Sequence, residues 1–505
     1  MAQDSQGSYE KLIRRSREAS LLASCSALLG WDEQTYMPKG GADHRGDQMA
    51  LLAGLHHEKL TDPEIGGLLA TLQESSLTEN PESTAAVNIR EISRVYRRAT
   101  QLPRDLVEEM ARTTSIAQQD WVEARREADF SRFQPRLERI VTLKRREAEC
   151  LGFRESLYDP LLDEYEPGAK TSELTQLFES LRQDLVPLVA AIADSSHRPN
   201  LSILQRHYPI DRQRIFGEAV AAALGFDFHR GRLDVAAHPF CSGIGPGDCR
   251  ITTRFHAHNV GEALFGIMHE VGHGLYDQGL DVEHHGTPMG EAVSLGVHES
   301  QSRLWENAVG RSVSFWEHFY PLARQIFHDA LHDTELDDFL FAVNHVEPSL
   351  NRVQADEVTY NLHILIRFEL EQALLSDGLA VADLPDAWNE KYRKYLGVTP
   401  SNDAEGCLQD IHWSAGLFGY FPTYTLGNLF AAQLFAKANL DLGDQSKSFA
   451  RGNFKPLLDW LRENVHRHGQ RFPSARLIEK VTGSPVDHRP LIHALREKYG
   501  PLYHL

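Results

Sequence analysis

The sequence predicts a mostly α-helical protein with one small β element just before a histidine-bearing helix. Helical periodicity is the first observation, because seven stretches place apolar residues three to four positions apart with charged residues between them. These stretches are 8–30, 44–58, 84–100, 104–128, 130–150, 172–194 and 207–225. Strand-like alternation, the second observation, lies mainly at 248–255, after a turn-rich segment at 242–247. The third is the run 269–273, which reads His-Glu-Val-Gly-His.

The length of 505 residues allows one large domain or two closely joined ones. We predict a single domain over residues 1–505. Its parts are a helical N-terminal part at about 1–230, a core with the histidine helix at about 231–430, and C-terminal helices at about 431–505.

The composition favours an acidic protein of the reducing cytosol. Its 52 basic and 71 acidic side chains give a net charge of −19, which argues against nucleic-acid partners and anionic membrane surfaces. The five cysteines are scattered without a C-x-x-C spacing, so we expect neither a disulfide framework nor a thiolate zinc site. Arginines before the apolar residues 21–25 superficially suggest an export signal, but an amphipathic first helix explains them better. We predict a cytoplasmic protein without a membrane span.

The histidine helix has a readable start and end. Asn259 is a predicted N-cap with Glu262 as its reciprocal partner, and Gly279 is a predicted stop. Glycines inside the helix, among them Gly272, cost helix propensity. They make sense where other backbone packs closely against the helix.

His269 and His273 lie one helical turn apart, so they share a face and can bind one ion. Glu270 lies beside the pair, where it can take a proton from a water at the metal. This arrangement is typical of zinc hydrolases. The alternative is two core histidines that hydrogen-bond to neighbouring groups.

The third metal ligand is open from the motif alone. The metzincin extension fails, because Tyr276 and Gly279 stand where it requires glycine and histidine. A glutamate is then expected. Glu283, Glu291 and Glu299 are the candidates, and position alone favours a mid-helix residue without deciding among them.

Further motifs extend along almost the whole chain. They are W-D-E-Q-T-Y-M-P at 31–38, H-P-F at 238–240, D-x-R-x-T at 248–252, H-E-x-x-H at 269–273, H-E-S-Q at 298–301, Q-D-I-H-W at 409–413 and G-Y-F-P-T-Y at 419–424. With these motifs the chain resembles the M32 metallocarboxypeptidase family, the thermostable (Taq-like) carboxypeptidases.

The resemblance implies one zinc ion per chain, bound by His269, His273 and Glu299, with Glu270 as general base. It implies a nearly all-helical fold with a deep central cleft, similar to neurolysin and angiotensin-converting enzyme, and a homodimer. Cobalt or manganese are possible substitutes at such a site.

Two further roles concern the substrate. A tyrosine in 419–424 is expected to donate to the oxyanion, and we favour Tyr420 over Tyr424, with aromatic packing as the alternative. Arg352 is expected to bind the free α-carboxylate of the substrate. The family usually has glutamate where this chain has Gln354, and the alternative for Arg352 is a surface pair with Asp356 or Glu357.

Several residues are left without a chemical role. The 248–255 segment is expected to be an edge strand beside the metal helix, with Asp248, Arg250 and Thr252 on one face towards a substrate or a buried network. No role follows from the residues for Gln409, Asp410, His412 and Trp413. Five further histidines are not expected to be ligands, namely His256, His258, His284, His285 and His298.

The leading hypothesis is a cytosolic zinc carboxypeptidase acting on peptides with a free C-terminus. The first alternative is a zinc oligopeptidase that cuts internally or releases dipeptides, for which Arg352 is not needed as an anchor. The second is a non-catalytic helical metal-binding protein, which an intact Glu270 argues against, because a structural site needs no base.

Overall fold

A computed structural model describes the backbone of residues 2–505 and the side chains of residues 5–505. Helices account for most of this chain, together with one three-stranded sheet. The prediction of a mostly α-helical protein with a small β element is therefore confirmed. Among the described helices, none is long and apolar enough to cross a membrane.

The chain forms two compact units, which are described separately. The first takes Met1–Thr100, Asn200–Val343 and Leu434–Gly483, and the second takes Gln101–Pro199, Asn344–Gln433 and Ser484–Leu505. The predicted single domain over 1–505 and the predicted cleft are not tested by this division and stay predictions.

The first unit holds the sheet and the histidine helix. Its helices are Ala2–Thr35, Ala42–Leu60, Pro63–Gln73, Ile210–Leu224, Val260–Asp277, Leu295–Arg303, Val313–Ile326, His328–Leu331, Leu336–Val343, Ser446–Phe449, Lys455–Asn464 and Ser474–Thr482, with a π-helical segment at Leu304–Val309. The helix Pro63–Gln73 is absent from the predicted set, although Asp62 caps it and proline occupies its first position.

The second unit is helical throughout its regular structure. Its helices are Arg104–Glu127, Phe130–Leu151, Asp159–Leu162, Thr171–Asp194, Tyr360–Leu375, Leu384–Leu396 and Arg489–Tyr503. The chain passes from the first unit to the second within the helix Thr84–Gln101, and from the second to the first within the helix Pro422–Leu442.

The sheet has the order β1–β3–β2, with β1 at Gly231–Val235, β2 at Cys241–Gly245 and β3 at Asp248–Thr253. Strand β3 pairs in parallel with β1 and antiparallel with β2. The expected edge strand is therefore wrong, because β3 is central and both of its backbone edges are occupied.

The polar alternation of β3 serves local packing. Arg250 forms a two-pronged ion pair with Asp248, with both N···O distances at 2.8 Å, and its guanidinium lies 4.1 Å from the ring centroid of Trp31. Thr252 is fully buried and bonds to both backbone polar groups of Phe240. These residues thus make local contacts, while a contact of this face with substrate stays a prediction.

The helix Val260–Asp277, called the HEVGH helix below, lies at the centre of this unit. It contacts the helices Ile210–Leu224 and Leu295–Arg303 and the strands β2 and β3. Ile267, Met268, Val271 and Leu275 have no exposed surface, and each such side chain contributes about 1.5–3 kcal/mol through burial. This packing fixes the orientation of the face that carries the two histidines.

Candidate active site

The HEVGH helix begins where the sequence predicts. The Oδ1 atom of Asn259 accepts a hydrogen bond from the backbone N–H of Glu262 at 3.2 Å, and the Glu262 carboxylate accepts one from the Asn259 amide. The helix ends at Asp277, two residues before the predicted stop. Gly279 has a different function there, because a Cβ atom at that position would overlap the ring of His466.

Three donor atoms converge on one point beside this helix. The Nε2 atoms of His269 and His273 lie 3.5 and 3.4 Å from Oε2 of Glu299. Metal–ligand distances of about 2.0–2.2 Å at tetrahedral angles would put such donors about 3.3–3.5 Å apart. The nitrogen, nitrogen and oxygen donors therefore fit one tetrahedral divalent cation.

Gly272 allows Glu299 to reach the two histidines. A Cβ atom on Gly272 would lie 2.5 Å from the carbonyl oxygen of Gln301 and 2.5 Å from Cα of Ser302. Both atoms belong to the helix Leu295–Arg303, which also carries Glu299. The predicted reason for the glycine, close approach of other backbone, is confirmed at this position.

Glu299 is held as an anion by its neighbours. Its Oε1 atom accepts a hydrogen bond from Nε of Arg303 at 2.7 Å, and its Oε2 atom accepts one from the hydroxyl of Ser302 at 3.0 Å. Burial alone would raise the pKa of Glu299, but the charges of Arg303 and His269 hold it well below its usual range.

His269 is oriented by a carboxylate on its other ring nitrogen. Its Nδ1 atom lies 2.9 Å from Oε2 of Glu306, which sits in the π-helical segment. Burial would raise the pKa of Glu306, but Arg303 and the contact with His269 lower it to about 2. A carboxylate in this position selects the tautomer whose Nε2 lone pair is available to a metal. No local motif marks Glu306 as a partner of His269, and only its spacing of seven residues from Glu299 could have indicated that both lie near the same site.

His273 is oriented through a second imidazole. Its Nδ1 atom lies 2.5 Å from Nδ1 of His298, whose Nε2 atom lies 3.0 Å from Oδ1 of Asp277. When Nε2 of His273 binds a cation, its Nδ1–H donates to a neutral His298, which in turn donates to Asp277. His298 is thus outside the three-donor cluster, as expected, but in contact with it.

Glu270 is buried beside the donor cluster, with 6% of its surface exposed. Burial raises its pKa to about 7, with a further contribution from the charge of Glu299. A carboxylate of this kind both accepts and releases a proton near neutral pH. By contrast, burial lowers the pKa of His273 to about 4, so this imidazole is neutral there.

The other candidate ligands are not grouped with the two histidines. Glu283 lies in the exposed 3₁₀ turn Val282–His284, and Glu291 follows the turn Pro288–Gly290. Among the described side chains, the cluster around His269 and His273 contains Glu299 alone of the three glutamates. Glu299 is therefore the candidate third ligand of this cluster, and its assignment stays a prediction.

Arg352 lies in the second unit, in the 3₁₀ turn Arg352–Gln354, and is buried with 7% exposure. Its Nε and one terminal nitrogen bind Oδ1 of Asp410 at 2.9 and 2.8 Å, and its other terminal nitrogen donates to the hydroxyl of Tyr360 at 3.1 Å. Arg367, fully buried, binds Oδ2 of the same Asp410 at 2.6 Å. The surface pair with Asp356 or Glu357 is therefore wrong. The partner Asp410 is 58 residues away in the chain and had no predicted role.

The two candidate tyrosines lie together in the second unit. The ring of Tyr420 lies 5.4 Å from that of Tyr424 and 5.4 Å from that of His412. Nε2 of His412 lies 3.3 Å from the hydroxyl of Tyr424. Both tyrosines are half-buried, so each retains an exposed edge. The preference for Tyr420 stays a prediction.

Comparisons with known proteins agree with these observations. The sequence profile described as Carboxypeptidase Taq (M32) metallopeptidase matches residues 11–499. Thermostable carboxypeptidase 1 of Thermus thermophilus is 51% identical over 507 residues, covering 99% of each chain. Carboxypeptidase 1 of Bacillus subtilis is 39% identical, covering 98% of this chain and 99% of its own.

The fold comparison gives the same result. The crystal structure of an M32 carboxypeptidase from Deinococcus radiodurans superimposes with a TM-score of 0.96 at 40% identity, covering 99% of this chain and 100% of that one. The predicted family and helical fold are thus confirmed. The chain belongs to the M32 family of carboxypeptidase Taq metallopeptidases and is a metallocarboxypeptidase.

Proposed function

We propose that the protein is a zinc-dependent carboxypeptidase that removes C-terminal residues from peptides one at a time. The observation that carries the proposal is the convergence of His269, His273 and Glu299, with Glu270 buried beside them. This donor set and adjacent base are those of open catalytic zinc sites.

Zinc is the cation we propose, one per chain, at His269, His273 and Glu299. Two imidazoles and one carboxylate suit Zn²⁺, while Co²⁺ and Mn²⁺ are possible substitutes at such donors. When bound, the cation supplies Lewis acidity that activates water and polarises the scissile carbonyl. Glu306 behind His269, and His298 with Asp277 behind His273, keep the Nε2 atoms of the two imidazoles directed at this position.

Glu270 is proposed as the general base. Its pKa of about 7 without a metal falls when a divalent cation binds nearby, because positive charge favours the carboxylate. The carboxylate takes a proton from the attacking water and then delivers it to the leaving amine. Tyr420, or Tyr424 in its place, is proposed to donate a hydrogen bond to the developing oxyanion.

Arg352 is proposed to bind the substrate's C-terminal carboxylate. The cluster of Arg352, Arg367 and Asp410 has two guanidinium groups against one carboxylate, so it carries a net charge of plus one. Burial lowers the pKa of the neighbouring His412 to about 4, so this imidazole adds no charge at neutral pH. A buried, uncompensated positive charge favours an anionic ligand, and the planar guanidinium suits a carboxylate.

The test is mass spectrometry of an N-blocked peptide incubated with zinc-loaded protein, beside the same peptide with a C-terminal amide. We expect a ladder that loses one residue at a time from the free acid only. Equal internal cleavage of both peptides would indicate the oligopeptidase alternative, and no cleavage with zinc bound would indicate a non-catalytic protein.

Three variants assign the roles in this assay. Glu270→Gln should retain zinc at the site of His269 and His273 and lose activity, whereas Glu299→Ala should lose both activity and the zinc bound at this site. Arg352→Lys should raise KM on the free acid strongly. Full activity of the first variant would remove Glu270 as the base, and an unchanged KM would remove Arg352 as the anchor.

A single peptidase domain over residues 1–505, a homodimeric state and a cytoplasmic location complete the proposal. Sedimentation analysis of the purified protein tests the dimer, and cell fractionation tests the location. The acidic surface supports neither a nucleic-acid nor a membrane partner.

A further inference from the structure

We propose that the protein has a second divalent cation site for a thiophilic metal such as zinc, formed by Sγ of Cys241, Sγ of Cys249 and Oδ2 of Asp277. The three residues come from strand β2, strand β3 and the last position of the HEVGH helix. They form a cluster separate from the donors of the first site.

The spacing of the three atoms matches one tetrahedral ion. The two sulfur atoms lie 3.6 Å apart, and they lie 3.7 and 3.9 Å from the carboxylate oxygen. Zinc–sulfur distances of about 2.3 Å and a zinc–oxygen distance of about 2.0 Å would place the sulfurs about 3.8 Å apart and each about 3.5 Å from the oxygen. A shift of a few tenths of an ångström completes the geometry.

The strand register argues against a disulfide as the purpose of this cysteine pair. Cys241 is paired with Ile251, and Cys249 is paired with Gly243, so the two cysteines are diagonal neighbours on antiparallel strands. Diagonal Cα atoms lie about 7–8 Å apart, beyond the range that a disulfide bridges without backbone movement. An ion that lies between the sulfurs needs no such movement.

The surroundings leave room for an ion and favour positive charge. A Cβ atom on Gly243 would lie 2.7 Å from Oδ2 of Asp277, so the glycine keeps space open at this oxygen. Gly243 and Asp277 also line a cavity of about 240 Å³, which gives a path for an ion and for water as a fourth ligand. Asp277 is at the C-terminal end of a helix, where the helix dipole attracts cations.

The second site is compatible with the first. Asp277 directs Oδ1 to His298, which contacts His273, and directs Oδ2 to the two thiols. One carboxylate therefore serves both sites through different oxygens. On binding, each thiol releases its proton to solvent and the metal takes both sulfurs as thiolates.

The sequence argued against a thiolate site because the cysteines lack C-x-x-C spacing. Cys241 and Cys249 are eight residues apart, and only the pairing of β2 with β3 brings their sulfurs together. The β2–β3 hairpin thus brings two sulfur atoms close together, as a C-x-x-C spacing does in other proteins.

The experiment is a titration of chelator-stripped protein with Co²⁺ by absorption, and with Zn²⁺ by elemental analysis after gel filtration. We expect two equivalents in the natural protein, and one each in Cys241→Ser and in Glu299→Ala. Thiolate-to-cobalt charge-transfer absorption should appear in the natural protein and in Glu299→Ala but not in Cys241→Ser, because the first site has no sulfur donor. Cys25→Ser, which alters an exposed cysteine, is the matched control and should bind two equivalents.

One equivalent in the natural protein without thiolate absorption would overturn the second site, whatever the peptidase activity. Persistence of the absorption in Cys241→Ser would overturn the ligand assignment. If Cys241→Ser does not fold, labelling of the natural protein with a thiol reagent tests instead whether Cys241 binds the metal. Zn²⁺ should slow modification of Cys241 at least tenfold, and an unchanged rate would refute the proposal.

Discussion

Gly272→Ala tests whether close packing of two helices sets the metal geometry. The added Cβ atom would lie 2.5 Å from the backbone of Gln301 and Ser302, whereas ordinary contact begins at 3.4 Å. Because these neighbours are backbone atoms, the two helices must separate by about 0.9 Å. Metal sites tolerate errors in ligand distance of about 0.2 Å. The displaced Glu299 is therefore expected to weaken zinc binding by at least about tenfold, the scale of outer-shell changes at metal sites.

The stability change has two opposing parts. Overpacking costs about 1–3 kcal/mol, while replacing a helical glycine by alanine contributes about 1 kcal/mol of helix propensity. We expect the metal-free variant to lose about 0–2 kcal/mol in the free energy of unfolding. Gly67→Ala is the matched control, since Gly67 lies in the helix Pro63–Gln73 and its added Cβ would meet no atom within 4 Å. This control should gain up to about 1 kcal/mol.

The assays are denaturant unfolding of both metal-free variants and competitive zinc titration against a chelating dye. The decisive quantity is the difference in free energy of unfolding between the two variants, because both gain the same helix propensity from the change of glycine to alanine. If Gly272→Ala binds zinc like the natural protein and gains as much stability as Gly67→Ala, the packing argument is refuted.

Four further predictions concern charge, protons and metal. Glu306→Gln should weaken zinc binding about 10–100-fold, measured by the same titration, because His269 loses its anionic partner. Asp410→Asn should cost about 3–5 kcal/mol of unfolding free energy by leaving two buried arginines without their anion. The two arginines outweigh burial and hold the pKa of Asp410 far below its usual range. The ionised Asp410 therefore contributes its full stabilisation above about pH 4, and this contribution is lost as the pH falls further. The free energy of unfolding of Asp410→Asn should accordingly depend less on pH in the acid range than that of the natural protein. Tyr420→Phe should lower kcat about 10²–10³-fold if Tyr420 is the oxyanion donor, and the same loss in Tyr424→Phe instead would reverse the assignment. Chelation should lower Tm, and zinc at about 100 times its Kd should restore about 2.7 kcal/mol of stability for each occupied site, with no restoration in a variant lacking the ligands of both sites.

Local patterns in the sequence predict seven helices before residue 226 and the HEVGH helix. Each of the seven predicted stretches overlaps an observed helix. Asn259 is also the observed N-cap of the HEVGH helix, as its side chain and the apolar periodicity after it predict. Such features depend on residues three or four positions apart, which one sequence displays directly. The missed strands β1 and β2 lack clear alternation. Strand β2 contains two glycines and overlaps the segment 242–247, which was predicted to form turns.

Only those residues of the site that lie within a sequence motif could be predicted. His269, Glu270 and His273 are visible as a spacing, while the choice of Glu299 needed the family resemblance. The groups behind the imidazoles have no such spacing, because tertiary packing brings Glu306 to His269, and His298 with Asp277 to His273. Asp410 lay within a recognised motif, but its pairing with Arg352 across 58 residues is a contact that no local pattern encodes.

The environments of two neighbouring carboxylates support the different roles that we propose for them. Glu299 is charged even without a metal, because Arg303 and His269 hold its pKa well below the usual range. Glu270 lies in the same buried region, but burial dominates there and raises its pKa to about 7. A ligand must be anionic before the cation arrives, whereas a base must exchange its proton during each turnover. Arg303 is the largest of the charges that lower the pKa of Glu299, so we propose that Arg303 keeps this ligand anionic before the cation binds, whereas burial leaves Glu270 able to exchange a proton.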